Sequence, residues 1–208
     1  MKILRHRPGR ASVVLFAVIA MAVGVAVSGP AAASTPTSSR QALARQAANN
    51  LLPVQHRIDA QLQLTPGGRQ VSRTEIAWHG GQVLMFFPLA GHRTAAPDSL
   101  ASSSPGASVQ PLDIHGCPSY VFGNDWYCFY QDKNWGGRRL QWSDAYHNPV
   151  YFSDYGFEKQ TSSWVNGGGK TIFVDNSSGG QLWQEAAHTV SSYVGDARND
   201  KAWSFTTS

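Results

Sequence analysis

The sequence predicts an all-β C-terminal domain preceded by a small α+β unit of helix and hairpin, and three observations carry that prediction. Aromatic residues crowd into one stretch: of 23 in the chain, 19 lie between Cys117 and Ser208, including all seven tyrosines and six of the seven tryptophans. In that stretch Gly, Asn, Asp and Ser recur every few residues and no helical period lasts beyond two turns. Such punctuation belongs to short strands joined by tight turns. The same stretch also resembles itself at an offset of about 41 to 43 residues, so one supersecondary unit occurs twice.

The chain opens with Lys2, Arg5, Arg7 and Arg10 and no acid. Residues 11–27 are apolar apart from Ser12, and Ser28-Gly29-Pro30 ends the run before Ala31-Ala32-Ala33. A charged start, an apolar middle and small residues at the positions a peptidase reads make a secretory signal peptide. Residues 1–33 are therefore expected to be removed, leaving an extracellular protein with no stable membrane anchor. The apolar run falls short of the roughly 18 residues that span a bilayer. Arg5-His6-Arg7 also separates the two arginines, which favours the general export route over the twin-arginine one.

Removal of this segment changes the charge balance. The whole chain has 17 basic and 13 acidic side chains, but four of the basic residues and none of the acids precede Ser34. From Cys117 onward there are seven basic and nine acidic residues. A domain without a basic surplus lacks the field that drives phosphate-backbone binding, so nucleic acid is excluded as the expected partner.

Residues 34–89 read as the helix and hairpin. Ser38 or Ser39 can cap a run from Arg40 to Asn50. Pro53 then restarts a helix in which Val54, Ile58 and Leu62 share one face. Thr65-Pro66-Gly67-Gly68 stops it, and Thr74–Trp78, His79-Gly80-Gly81 and Gln82–Pro88 read as strand, turn and strand. One helix over one hairpin has little core, so its stability depends on packing against something else. An interaction arm, a removable pro-segment and a spacer are the readings of this unit. Residues 90–116 are mostly Ala, Ser, Pro and Gly, which marks a flexible linker. Residues 117–208 are accordingly expected to fold alone, as a monomer.

Cys117 and Cys128 are the only cysteines. An even count in an exported protein points to a disulfide, worth about 3 kcal/mol by the chain-entropy argument. Metal or redox thiols are the minor alternative, since no C-x-x-C spacing supports them. In the repeat, residues 130–137 align with 173–180 and residues 158–164 with 199–205. An aromatic, a second aromatic and then Gly-Gly suit a hairpin folded over its own sheet. The rings cover the fold and glycine supplies backbone angles closed to other residues. The later serine can hydrogen-bond the underside of that hairpin.

This pattern resembles the βγ-crystallin double Greek key. The first copy matches at Tyr130, Trp135, Gly137 and Ser163; the second matches at Phe173, Gly180 and Ser204, with Ser178 where the second aromatic would stand. Within that superfamily Cys117-Pro118, the run 128–144, the segment 154–157 and the segment 162–166 resemble the actinobacterial metalloproteinase-inhibitor family. The resemblance covers residues 117–208, and residues 55–91 are similar to the upstream extension of its longer members. It implies a βγ-crystallin-like double Greek-key sandwich and an inhibitor of an extracellular protease, with the reactive bond in a second-motif loop. The corresponding loop here is Gln184–Gly195, where Ala186, Ala187, Val190 and Tyr193 suit the apolar pocket of a thermolysin-like enzyme. The family's loop disulfide has no counterpart, so cleavage is expected to free the loop ends and make inhibition temporary.

Calcium-binding βγ-crystallins carry acidic-acidic-x-x-Ser/Thr-Ser in each motif, and the fifth-place hydroxyl of one shares a site with the second-place side chain of the other. Oxygen donors suit this hard cation. Crossed pairing here sets Ser162 with Asp200, which can hold calcium, and Trp203 with Lys159, which cannot. At most one calcium ion is expected; otherwise both motifs only tie down their hairpins. No G-x-S-x-G, H-E-x-x-H or phosphate loop occurs, and His147 and His188 lack a nearby Cys or a repeated acidic partner, so an enzyme is not expected. The rival readings are an extracellular binding module for calcium, cell-wall glycan or another protein, and a structural extracellular protein without a ligand. For the module, Trp135, Trp142, Trp164 and Trp183 are the candidates for an exposed stacking patch.

Overall fold

The computed structural model describes residues 36–95, 112–119, 126–143 and 148–208. The expected signal peptide and most of the expected linker lie outside the described residues. No described helix is long and apolar enough to cross a membrane.

Helix α1 runs unbroken from Pro36 to Leu64 with Pro53 inside it, where two helices were expected. Proline removes one backbone hydrogen bond and crowds the preceding turn. Tertiary packing holds the run that follows it: Val54 and Ile58 are buried, and Leu62 packs against the same cluster. Ahead of Pro53 the described side chains face solvent apart from half-buried Leu51, with Leu43 and Leu52 exposed. The hairpin forms where the turn residues predict it. Strands β1 (Arg69–Gln70), β2 (Glu75–Trp78) and β3 (Val83–Phe86) form an antiparallel meander, and His79–Gly81 makes the 3-10 turn between β2 and β3.

The remaining strands are β4 (Leu112–Ile114), β5 (Cys117–Ser119), β6 (Tyr127–Asp132), β7 (Gly136–Trp142) and β8 (Val150–Tyr151), then β9 (Ser163–Asn166), β10 (Ile172–Asp175), β11 (Gln181–Glu185), β12 (Thr189–Ser191) and β13 (Ser204–Thr207). One sheet has the order β1-β2-β3-β7-β6-β9-β12, a second β11-β10-β13-β8, and β4 and β5 pair separately. The first repeat comprises β6 to β9 and the second β10 to β13. Each gives its third strand to the other's sheet, since β8 pairs with β13 and β12 with β9. That exchange is the double Greek key of the βγ-crystallin fold. Its core is aromatic: Trp142 meets Phe205 at 4.7 Å and Phe129 at 5.5 Å between ring centroids, both edge-on, a favoured ring geometry.

The helix–hairpin segment and the C-terminal segment do not stand apart. Strand β3 pairs with β7 along its whole length, from Val83 opposite Trp142 to Phe86 opposite Arg139. Residues 37–208 form one compact unit. The expectation that residues 117–208 are independent gives way because the hairpin supplies what it lacked alone: β3 has all four side chains buried. Arg138 is the polar fastening. It donates to Gln61 of α1 at 2.6 Å and to Gln131 at 3.2 Å, bonds Gln160, and lies over the rings of Phe87 and Phe157. Burial and the Arg57 charge push its pKa down to about 10, so it stays a cation at neutral pH.

Cys117 and Cys128 are bonded, tying β5 to β6. The folded hairpin of the first repeat is built as its residues suggest. Ser163 Oγ accepts from the Trp135 N–H at 3.0 Å and donates to the Asp132 carbonyl at 2.7 Å. The hydroxyl of buried Tyr130 reaches the His115 carbonyl at 3.0 Å, and Trp135 stacks on His115 with centroids 3.4 Å apart. In the second repeat Phe173 is half-buried on β10 and Ser204 is buried at the start of β13. Gly179, with φ near 80°, takes the left-handed position there instead of the expected Gly180. Asn176 explains the shift: its Oδ1 accepts from the N–H groups of Ser178 and Gly180, a side-chain turn that does the work of the missing aromatic.

Gly137 has φ 72°, and a Cβ there would lie 2.8 Å from Gln131 Cβ and 2.9 Å from an Asp132 oxygen. Gly137→Val is therefore expected to destabilise by roughly 3 to 5 kcal/mol, strain and overpacking together. At Gly136 the φ is ordinary and the closest approach would be 3.2 Å, so Gly136→Ala should cost about 1 kcal/mol. Urea midpoints of the two variants test the ordering; equal losses would contradict it.

Candidate functional site

Two features flank one another near the crossing of the two repeats. The first is a polar groove of about 650 Å³ whose charged lining is Arg93, Asp132, Lys133, Lys159 and Asp200, with Ser162 beside them. The two motif loops meet here by crossed backbone bonds. The Lys159 N–H donates to the Ala202 carbonyl at 2.8 Å and the Asp200 N–H to the Thr161 carbonyl at 3.4 Å. Lys159 and Asp200 share the same left-handed φ of 56°, the mark of equivalent positions in a repeat. Ser162 and Asp200, paired from the sequence, both line this groove.

The two halves of this crossing differ in chemistry. In one, Ser162 Oγ donates to the Gln131 carbonyl at 2.8 Å, and Asp200 accepts from the Asn199 amide at 2.6 Å. Burial and the neighbouring Asp132 charge raise the Asp200 carboxyl above its ordinary range. In the other half the Lys159 ammonium sits 5.6 Å from the centre of the Trp203 ring, so the protein's own cation occupies that side. Among the described residues, no group of three or more His, Cys, Asp or Glu is placed to hold a metal ion.

The second feature is the segment from Glu185 to Gly195. Among the described residues, strand β12 lies at the edge of the large sheet, paired to β9 alone. Val190 on it and Tyr193 just beyond are 42% and 37% exposed; Ala186 is exposed and Ala187 half-buried. All four candidate loop residues therefore lie on one tethered strand and its turns. Thr189 Oγ1 donates to the Ala186 carbonyl at 2.6 Å, and the His188 N–H donates to the Gly168 carbonyl at 3.1 Å. Past the strand, the Asn134 N–H reaches the Ser192 carbonyl at 2.7 Å and the Val194 N–H reaches the Ser162 carbonyl at 2.9 Å. Tyr193 bonds Asp196 through its hydroxyl and lies under the Lys133 ammonium. The lack of a local disulfide does not leave this segment loose.

Other expectations change with burial. Trp142, Trp164 and Trp183 are buried and Trp135 is half-buried under His115, so these rings make core and hairpin cover, not an exposed stacking patch. Sequence reasoning also missed Asn166. It is an Asn inside a strand, where the residue is disfavoured, and the second repeat has Thr207 in its place; those were the available signals.

No protein-family profile and no curated protein matches the chain. Among solved structures it is similar to a βγ-crystallin from Ciona intestinalis, at 17% identity and TM-score 0.33 over 40% of this chain and 99% of that one. It is also similar to a βγ-crystallin domain from Clostridium beijerinckii, at 24% identity and TM-score 0.32 over 39% and 94%. A structure concerned with the evolution of the eye-lens βγ-crystallin domain fold matches at 18% identity and TM-score 0.34, over 43% and 93%.

Proposed function

We propose that the protein is a secreted binding protein of the protease-inhibitor type, which offers the edge strand β12 and its flanking turns to an extracellular protease. The observation that carries this reading is the geometry of that segment: exposed Val190 and Tyr193 on backbone tied to the framework on both sides. Proteins that dock an extended segment gain affinity through main-chain pairing at a free edge. A segment already ordered loses less entropy on binding. The resemblance of residues 117–166 to the metalloproteinase-inhibitor family points the same way.

The test is a progress curve with thermolysin-like and serine proteases against the secreted chain, followed by mass spectrometry of the inhibitor. Inhibition is expected to be stoichiometric, to fall at least tenfold in Val190→Asp, and any cut is expected between Ala186 and Tyr193. No inhibition by an intact domain would defeat the reading.

A second reading is supported by the Ser162–Asp200 half of the groove, which places a carboxylate, a hydroxyl and the Gln131 carbonyl together. That corner suits one calcium ion, although three cationic side chains face two carboxylates across the groove. Calcium binding is expected to be weak, to vanish in Asp200→Ala and to strengthen in Lys159→Ala, as read by calorimetry. Two ions bound, or binding untouched by Asp200→Ala, would reject this site.

A further inference from the structure

Asn166 closes β9 and is 1% exposed. Its Nδ2 donates to the carbonyls of Lys170 at 2.8 Å, Glu185 at 3.0 Å and Ala186 at 3.1 Å, while its Oδ1 accepts from the Gly168 N–H at 3.0 Å. One side chain therefore gathers the turn after β9 and the exit of β11. A carboxamide is the only side chain of this size with two N–H donors and an acceptor. Aspartate would present oxygen to the same three carbonyls.

We infer that Asn166 is a non-covalent clip for the presented segment, a positioning residue that does the work of a loop disulfide. The inference rests on the inhibitor reading for its use, not for its geometry. Hydrolysis of a bond between Ala187 and Ser191 adds one water across it, leaving a carboxylate on one side and an amine on the other. The upstream end remains held by Asn166 at Glu185 and Ala186; the downstream end remains held at Ser192 and Val194. Two ends kept close have a high effective concentration. Reversal, which expels that water and remakes the amide, therefore competes with release. The cut segment stays an inhibitor instead of leaving as product.

The experiment uses the mature chain from Ser34. In the wild type, NMR should show the Asn166 side-chain amide exchanging at least 100-fold more slowly than a free carboxamide; free exchange overturns the clip. In Asn166→Ala and Asn166→Asp, backbone amides of residues 187–194 should exchange at least tenfold faster while residues 127–142 stay protected. Loss of protection in both regions alike, or in neither, overturns it. With thermolysin as the probe, the variants should be cut in the segment and lose inhibition with time, whereas the wild type keeps it. If the wild type inhibits nothing, the inhibitor reading falls, and the exchange data still decide the clip. Should neither variant fold, the wild-type amide alone decides.

Discussion

A fragment starting at Leu112, without the helix and hairpin, is expected to be unable to persist as a stable monomer. Residues 36–95 carry away their own ordering entropy when deleted, so the loss that counts is the surface they cover. Trp142 and Leu140 pair against Val83 and Met85, Tyr155 packs edge-on to Trp78, and Gln61 holds the Tyr155 carbonyl at 2.8 Å. Exposing a large apolar side chain costs about 1.5 to 3 kcal/mol. Several together approach the roughly 5 to 15 kcal/mol that holds a domain folded. Deletion also uncovers the backbone edge of β7, a template for pairing with another chain. Sedimentation should show association and the thermal transition should broaden or vanish. A monomer melting within a few degrees of the intact chain would show that the hairpin is dispensable.

Glu185→Gln is expected to stabilise the protein at neutral pH and to remove a pH dependence. Glu185 is fully buried, and burial raises its carboxyl well above the ordinary range, only partly opposed by the hydrogen bond from the Trp183 indole. Its second oxygen, Oε2, has no partner in the described structure. With the folded pKa above the unfolded one, the native state keeps a proton that the unfolded chain has lost. The stability from that proton is complete below the unfolded value of about 4.3 and is lost as pH rises toward the folded value, by about 1.4 kcal/mol per pH unit. The amide cannot ionise, so Glu185→Gln should flatten this limb of the curve. Denaturant midpoints from pH 4 upward measure it. A wild type that gains stability across that window would refute the buried neutral carboxyl.

Much of the C-terminal fold was legible because its instructions are local. Trp135, Gly137 and Ser163 act through one hairpin, and the repeat carries both the hairpin and its tie. The crossed pairing of Ser162 with Asp200 was legible for the same reason: two copies of one motif imply a two-fold relation. The second repeat was harder, because Asn176 replaces an aromatic by an unrelated device and moves the left-handed glycine by one position. The union of hairpin and sheet was hidden. Val83 to Phe86 read as a half of a small hairpin, and only a partner some 55 residues away, β7, makes them core. The clip at Asn166 was hidden too, since its acceptors at Lys170, Glu185 and Ala186 are backbone carbonyls that leave no trace in residue type.

Covering β7 also closes one route by which copies of this chain could join edge to edge. A duplicated motif makes β7 and β11 equivalent edges, one on each sheet. Were both bare, the β7 edge of one molecule could join the β11 edge of the next. Each joining would leave the same two ends free, the rule of an open filament. With β3 laid along β7, that head-to-tail step has lost its head. Of the two equivalent strands only β11 then keeps a bare edge, and β11 against β11 is a pairing that closes on itself at two molecules. The hairpin thus replaces the seven-residue β7 by the two-residue β1 as the end of that side of the sheet, an edge too short to template the next molecule in the same way.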